Sequence, residues 1–158
     1  MAKITPSETR VAKALAAIDF TGNIIYHDVP TTTAIQAAEA AECDVSQIVK
    51  SLIFEGAENG EPWLILVSGA NRVHEKRVGR LLGEKLKRCD ADYVRSKTGF
   101  AIGGVSPVGA IGELRTAIDE SLFKHTEIWC AGGSPRSVFP IAPETLMKIT
   151  NAQKICVT

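Results

Sequence analysis

Two apolar segments set close together most restrict the folds open to this chain. Val49-Lys50-Ser51-Leu52-Ile53-Phe54 and Trp63-Leu64-Ile65-Leu66-Val67 are rich in β-branched and aromatic residues, the composition of strands. Only a short turn, residues 56–61, opened by Gly56, lies between them. A parallel pair would need a crossover of roughly a dozen residues or more. The two segments are therefore expected to fold back on each other as an antiparallel hairpin with a longer loop.

The rest of the chain mixes strands with helices. Thr5-Pro6 opens a helix, with Pro6 placed where its missing N–H is harmless. Thr33-Ala34-Ile35-Gln36 fits a capping box, and the Ala-rich helix it opens should run to about Glu42. Asp44 or Ser46 caps a short turn before the hairpin. Val73, Val78, Leu81 and Leu82 recur at helical spacing, with Gly83 as the C-cap. Further helices are expected over residues 90–97 and from Pro143 to just before Asn151. Further strands are expected near residues 24–27, 114–118, 128–130, 138–141 and 154–157. The strict βαβ alternation of a doubly wound fold is missing. That predicts an α+β fold in one domain, 1–158, with a mixed, largely antiparallel β-sheet flanked by helices.

Charge is balanced overall, with 18 Lys and Arg against 18 Asp and Glu, so no net field holds the chain to nucleic acid. The arrangement is uneven, because half of the bases fall within residues 72–97. Lys76, Arg77 and Arg80 lie opposite the apolar stripe of one helix. They read either as a solvated face or as a phosphate-facing surface. Residues 1–10 carry no apolar stretch and the longest strongly apolar run is 63–67, so neither export nor a membrane span is expected. A cytoplasmic location follows as an expectation. The four cysteines are widely spaced, without a C-x-x-C pair or a nearby histidine, so neither a disulfide framework nor a metal site is expected.

Four features could carry chemistry. Lys50 is a cation at the start of an apolar strand, fit to meet a phosphate or a carbonyl oxygen; the plain alternative is a snorkelling surface lysine. Residues 98–112 contain no charged residue and five glycines. Within them Gly99, Gly103, Gly104, Val105, Ser106 and Pro107 form a loop whose backbone can approach a ligand closely, or a structural turn. The basic run is the third feature. The fourth is a second glycine turn with Gly132, Gly133 and Ser134, either a second pocket wall or only a turn. His27, His74 and His125 make no constellation with a Ser or Cys, which argues against a hydrolytic triad. An unrelated hydrolase using Cys89 or Cys130 remains a third-rank reading.

In this order the four features resemble the YbaK/ProX family of free-standing editing domains, relatives of the editing domain inserted in bacterial prolyl-tRNA synthetases. The resemblance is closest at Ile48-Val49-Lys50-Ser51-Leu52 and from Thr98 to Gly109, and continues through Ile118-Asp119 and Ala131-Gly132-Gly133. It implies a barrel-like mixed sheet flanked by helices. It also implies a metal-independent, cofactor-free deacylase acting on a mischarged tRNA, tRNA(Pro) first, with prolyl-tRNA synthetase as a further partner. By the resemblance Lys50 is the functional lysine, and Gly103 to Pro107 grips the 3′-terminal adenosine, whose own hydroxyl assists water. Where relatives carry an acid or a His after the second glycine turn, this chain reads Arg136-Ser137-Val138. The amino acid removed therefore stays open among Ala, Cys, Ser, Thr and 2-aminobutyrate. The rival from another class is a non-catalytic module that binds a tRNA end or a nucleotide.

Overall fold

The hairpin forms. In the computed structural model, which describes residues 3–158, β2 (Val49–Gly56) and β3 (Pro62–Ser68) pair antiparallel from Val49↔Ser68 to Glu55↔Pro62. Every residue of β3 is buried, because both of its faces are covered. Leu64 and Leu66 enter one core with Val11, Phe100, Ile118, Phe139 and Leu146. Ile65 and Val67 enter a second with Phe54, Val78, Ala117 and Ile155. This is why the segment reads as an unbroken apolar run rather than an alternating one. At about 1.5–3 kcal/mol for each fully buried aliphatic side chain, β3 alone is a major source of cohesion.

Around the hairpin the chain adds α1 (Pro6–Ala17), β1 (Ile25–Tyr26), α2 (Ala34–Ala41), α3 (Glu75–Leu82), β4 (Leu86–Arg88) and α4 (Ala91–Thr98). It continues through β5 (Arg115–Asp119), β6 (Ile128–Ala131), β7 (Ser137–Ile141), α5 (Pro143–Thr150) and β8 (Gln153–Ile155). Two 3₁₀ turns, Val45–Gln47 and Glu120–Lys124, complete it. The larger sheet has the order β4-β2-β3-β5-β8 and the smaller β1-β7-β6. Strands β5 and β8 join in parallel, each after an intervening crossover, while the other ladders are antiparallel. The fold is α+β with mixed sheets, as expected.

The barrel-like closure is not present. Neither sheet closes: the two pack through a shared core, but their backbones pair, among the described residues, only at one isolated parallel bridge, Ile48↔Trp129. The physical reason lies in β2. Strand β4 covers its edge only at Phe54–Gly56, and the bridge holds only its start, so the stretch between stays open.

Local chemistry sets the helix ends. Thr5 and Glu8 form a reciprocal capping box on α1. Thr33 caps α2, but Gln36 reaches back to the N–H of Thr32 at 2.9 Å rather than to that of Thr33. Asp44 caps the first 3₁₀ turn, and α3 and α4 end at Gly83 and Gly99. Among the described residues no helix is long and apolar enough to cross a membrane.

Candidate active site

The open stretch of β2 forms one wall of a cleft of about 700 Å³, within the range of small-molecule sites. Residues 48–54 all line it, facing Ile102, Gly103 and Val105 of the glycine loop and Ser134 of the second glycine turn. Thr31 to Thr33 and Arg72 also line it.

Lys50 follows the buried Val49 on this edge. Its ammonium donates to the main-chain carbonyl of Asn71. Asn71 is itself held by its side-chain amide, which donates to Asp119 at 3.0 Å and to Ser121 at 2.8 Å. Asp119, buried, also accepts from the Ser68 N–H and from the N–H and hydroxyl of Ser121. The position of Lys50 is thus set by a relay reaching from β5. Burial, and then the charge of Arg72, lowers the pKa of Lys50 against the opposing pull of Asp119. Two neighbouring cations lining a cleft disfavour each other, and an anion between them relieves both.

The two glycine turns are held together by α1. Arg10 donates to the carbonyls of Gly99 at 2.7 Å and Gly109 at 3.1 Å, and its guanidinium lies over the Phe100 ring. Glu8, fully buried, accepts from the Ser134 hydroxyl at 2.7 Å and from Arg136 at 3.0 Å, besides its cap bond from Thr5. Burial by itself raises the Glu8 pKa. The hydrogen bonds from Ser134 and Thr5 and the charge of Arg136 outweigh it, so the carboxyl titrates below its ordinary value. The turns also meet backbone to backbone. A Cβ on Gly104 would fall 2.8 Å from Ser134 Cα, which only glycine avoids.

The structure brings Lys50, Gly103, Val105 and Ser134 to the cleft wall. Gly99, Gly104, Ser106, Pro107, Gly132 and Gly133 sit in the body of the same two turns. There the Ser106 hydroxyl accepts from the Val108 N–H at 3.3 Å and Gly132 donates to the Ser137 carbonyl at 2.7 Å. Lys76, Arg77 and Arg80 are exposed on α3 and do not line the cleft, and Arg77 donates to the Thr158 carbonyl. Cys130 is fully buried and burial pushes its thiol up; Cys89, on the cleft, is pushed up by burial and by Glu55 and Asp90. Raised thiols are poor nucleophiles. Among the described residues no three His, Cys, Asp or Glu side chains gather as metal donors.

Sequence reasoning missed Glu8, Arg10, Ser51, Asn71 and Asp119 as parts of the site. Ser51 and Asp119 lay within the segments that carry the resemblance but had no role assigned, and Glu8 left a local trace as the fourth residue of Thr5-Pro6-Ser7-Glu8.

Comparison with known proteins adds independent findings. A family model described as an aminoacyl-tRNA editing domain matches residues 28–149. YwhH of Bacillus subtilis, uncharacterized, is 30% identical over 81% of this chain and 81% of its own. EbsC of Enterococcus faecalis, provisionally named a Cys-tRNA(Pro)/Cys-tRNA(Cys) deacylase, is 25% identical over 77% of this chain and 74% of its own. A solved structure provisionally described as a trans-editing enzyme for prolyl tRNA synthetase superposes with a TM-score of 0.92 at 41% identity, covering 99% of both chains.

Proposed function

Because the chain belongs to the aminoacyl-tRNA editing domain family, we propose that it is a free-standing deacylase that hydrolyses a small non-cognate amino acid from mischarged tRNA(Pro). The observation that carries this reading is the cleft itself. It sets the Lys50 edge of β2 against Gly103, Val105 and Ser134, in a volume fit for an aminoacyl-adenosine end.

The chemistry asks little of protein side chains. Water adds to the ester carbonyl carbon, the bond to the ribose oxygen breaks, and a proton from the water ends on that oxygen. The ester is already activated, so positioning and an oxyanion contact supply much of the rate. A ribose hydroxyl next to the ester assists the water. Lys50 and Arg72 share the part of the cleft suited to the terminal phosphate, and the glycine loop holds the adenosine. The Lys76, Arg77 and Arg80 face meets the tRNA backbone, and prolyl-tRNA synthetase delivers the substrate. Editing is needed because a proline pocket gains only about 1–3 kcal/mol over a slightly smaller apolar side chain.

The test is deacylation of tRNA(Pro) carrying Ala, Cys, Ser, Thr, 2-aminobutyrate or Pro, with Lys50→Ala alongside. Selective loss of one or two wrong amino acids, abolished in a folded Lys50→Ala protein, is the expected result. Binding of tRNA without turnover on any of them would replace this reading with a non-catalytic module.

A further inference from the structure

The cleft is lined by seven consecutive residues, 48–54. A strand that presents a face exposes every second residue; consecutive lining means that it is seen edge-on. No strand pairs with this edge of β2 between the bridge at Ile48 and the β4 pairing at Phe54, among the described residues. An uncovered edge presents main-chain N–H and C=O groups ready to pair.

Ladder parity says which residues present them. At one end of the hairpin Gly56 N–H donates to Glu61 O at 2.9 Å, and at the other Gly69 N–H donates to Ile48 O at 2.7 Å. In an antiparallel ladder alternate residues bond the same neighbour, so Ile48, Lys50, Leu52, Phe54 and Gly56 turn their main-chain groups to β3. Val49, Ser51 and Ile53 turn theirs to the open edge. The Cys89 thiol confirms the parity by donating to the Ile53 carbonyl at 3.1 Å. Ser51 stands in the middle of the open stretch, and its buried hydroxyl has no hydrogen-bond partner among the described residues.

We propose that Ser51 docks the aminoacyl group as one residue of an antiparallel ladder. Its N–H donates to the ester carbonyl oxygen and its C=O accepts from the α-ammonium. An aminoacyl ester carries an acceptor and a cationic donor on adjacent atoms, the pair that two strand residues exchange when they face each other. As water adds, charge develops on the ester oxygen, and the Ser51 N–H, fixed by the sheet, stabilises it as an oxyanion donor. Paired residues project their side chains on one face, so the side chain of the bound amino acid lies beside the Ser51 hydroxyl. Lys50, one residue earlier, has its amide in the ladder and acts only through its side chain. This assignment rests on the deacylase reading above.

The experiment replaces the peptide N–H at position 51 by an ester oxygen. Lactate is incorporated there by nonsense suppression and compared with Ser51→Ala, from which it differs by an ester oxygen in place of that N–H and by the weaker acceptor this makes of the Lys50 carbonyl in the β3 ladder. Single-turnover deacylation of the tRNA that the wild type clears best is followed, with melting temperatures in parallel. The expected result is a roughly hundredfold slower reaction in the ester protein than in Ser51→Ala, with only the small fall in melting temperature that a weaker Lys50 carbonyl acceptor brings. The same swap at Leu52, whose N–H the ladder uses, lowers the melting temperature. On the substrate side, a propionyl ester of the tRNA, which lacks the ammonium of the alanyl ester, should be cleaved far more slowly by the wild type. Rates within about threefold for the two position-51 proteins overturn the assignment. A wild type inactive on every mischarged tRNA overturns the deacylase reading instead, so the two failures are told apart.

Discussion

Glu8→Ala separates a structural role of α1 from the bland role of a helix-capping acid. The carboxylate is fully buried and accepts from Thr5 N–H, the Ser134 hydroxyl and Arg136 at 2.7–3.0 Å. The Arg136 side chain is only 14% exposed. Removing one partner of such a pair leaves the other charge poorly solvated, at a cost of about 3–5 kcal/mol, which includes the lost cap. For a chain of this size each kcal/mol lowers the melting temperature by about 2–4 °C, so a fall of roughly 6–20 °C is expected. Glu8→Gln keeps an acceptor oxygen and loses the charge, for about half that effect. The pH dependence sharpens the test. The folded pKa of Glu8 lies below the unfolded one, so its stabilisation is complete above the unfolded value, near 4.3. It is lost as the pH falls through the folded value. Urea unfolding of wild type and Glu8→Gln between pH 3 and 7 should therefore give curves that converge at the acid end. Parallel curves, or a Glu8→Ala protein melting within about 2 °C of wild type, would refute the argument.

Other substitutions probe the cleft directly. Gly104→Ala forces a Cβ to 2.8 Å from Ser134 Cα; parting the two glycine turns should lower turnover at least tenfold, read by single-turnover kinetics on the folded protein. If the Lys50 cation is required, the enzymatic rate, corrected for spontaneous hydrolysis, should fall on the alkaline side at a pH below the ordinary lysine range. Burial and Arg72 lower its pKa, and Lys50→Arg should move that limb upward. Charge reversal at Lys76, Arg77 and Arg80 should weaken tRNA binding and reduce its dependence on salt; an unchanged salt slope would mark that face as plain solvated surface.

How much of this was legible in one sequence follows from the reach of each interaction. The hairpin, the helix caps and the glycine turns are local, and strand composition, capping pairs and glycine density announced them. Strand β4 escaped because Leu86-Lys87-Arg88 is short and charged, and only pairing with Phe54–Gly56 makes it a strand. The barrel-like sheet that the resemblance implied is absent, and nothing local says where two sheets part; that depends on where β6 and β4 stop along β2. The Glu8 carboxylate meets Ser134, 126 residues away, a partnership that only topology creates. The candidate site shows the same limit at its sharpest. Lys50 stands out in a sequence because its charge is anomalous in an apolar strand, whereas Ser51 beside it looks ordinary. Which of the two offers its amide to the cleft is decided by the register Ser51↔Leu66. A slip of one residue would exchange their roles, presenting the Lys50 amide and swinging its side chain to the opposite face of the sheet.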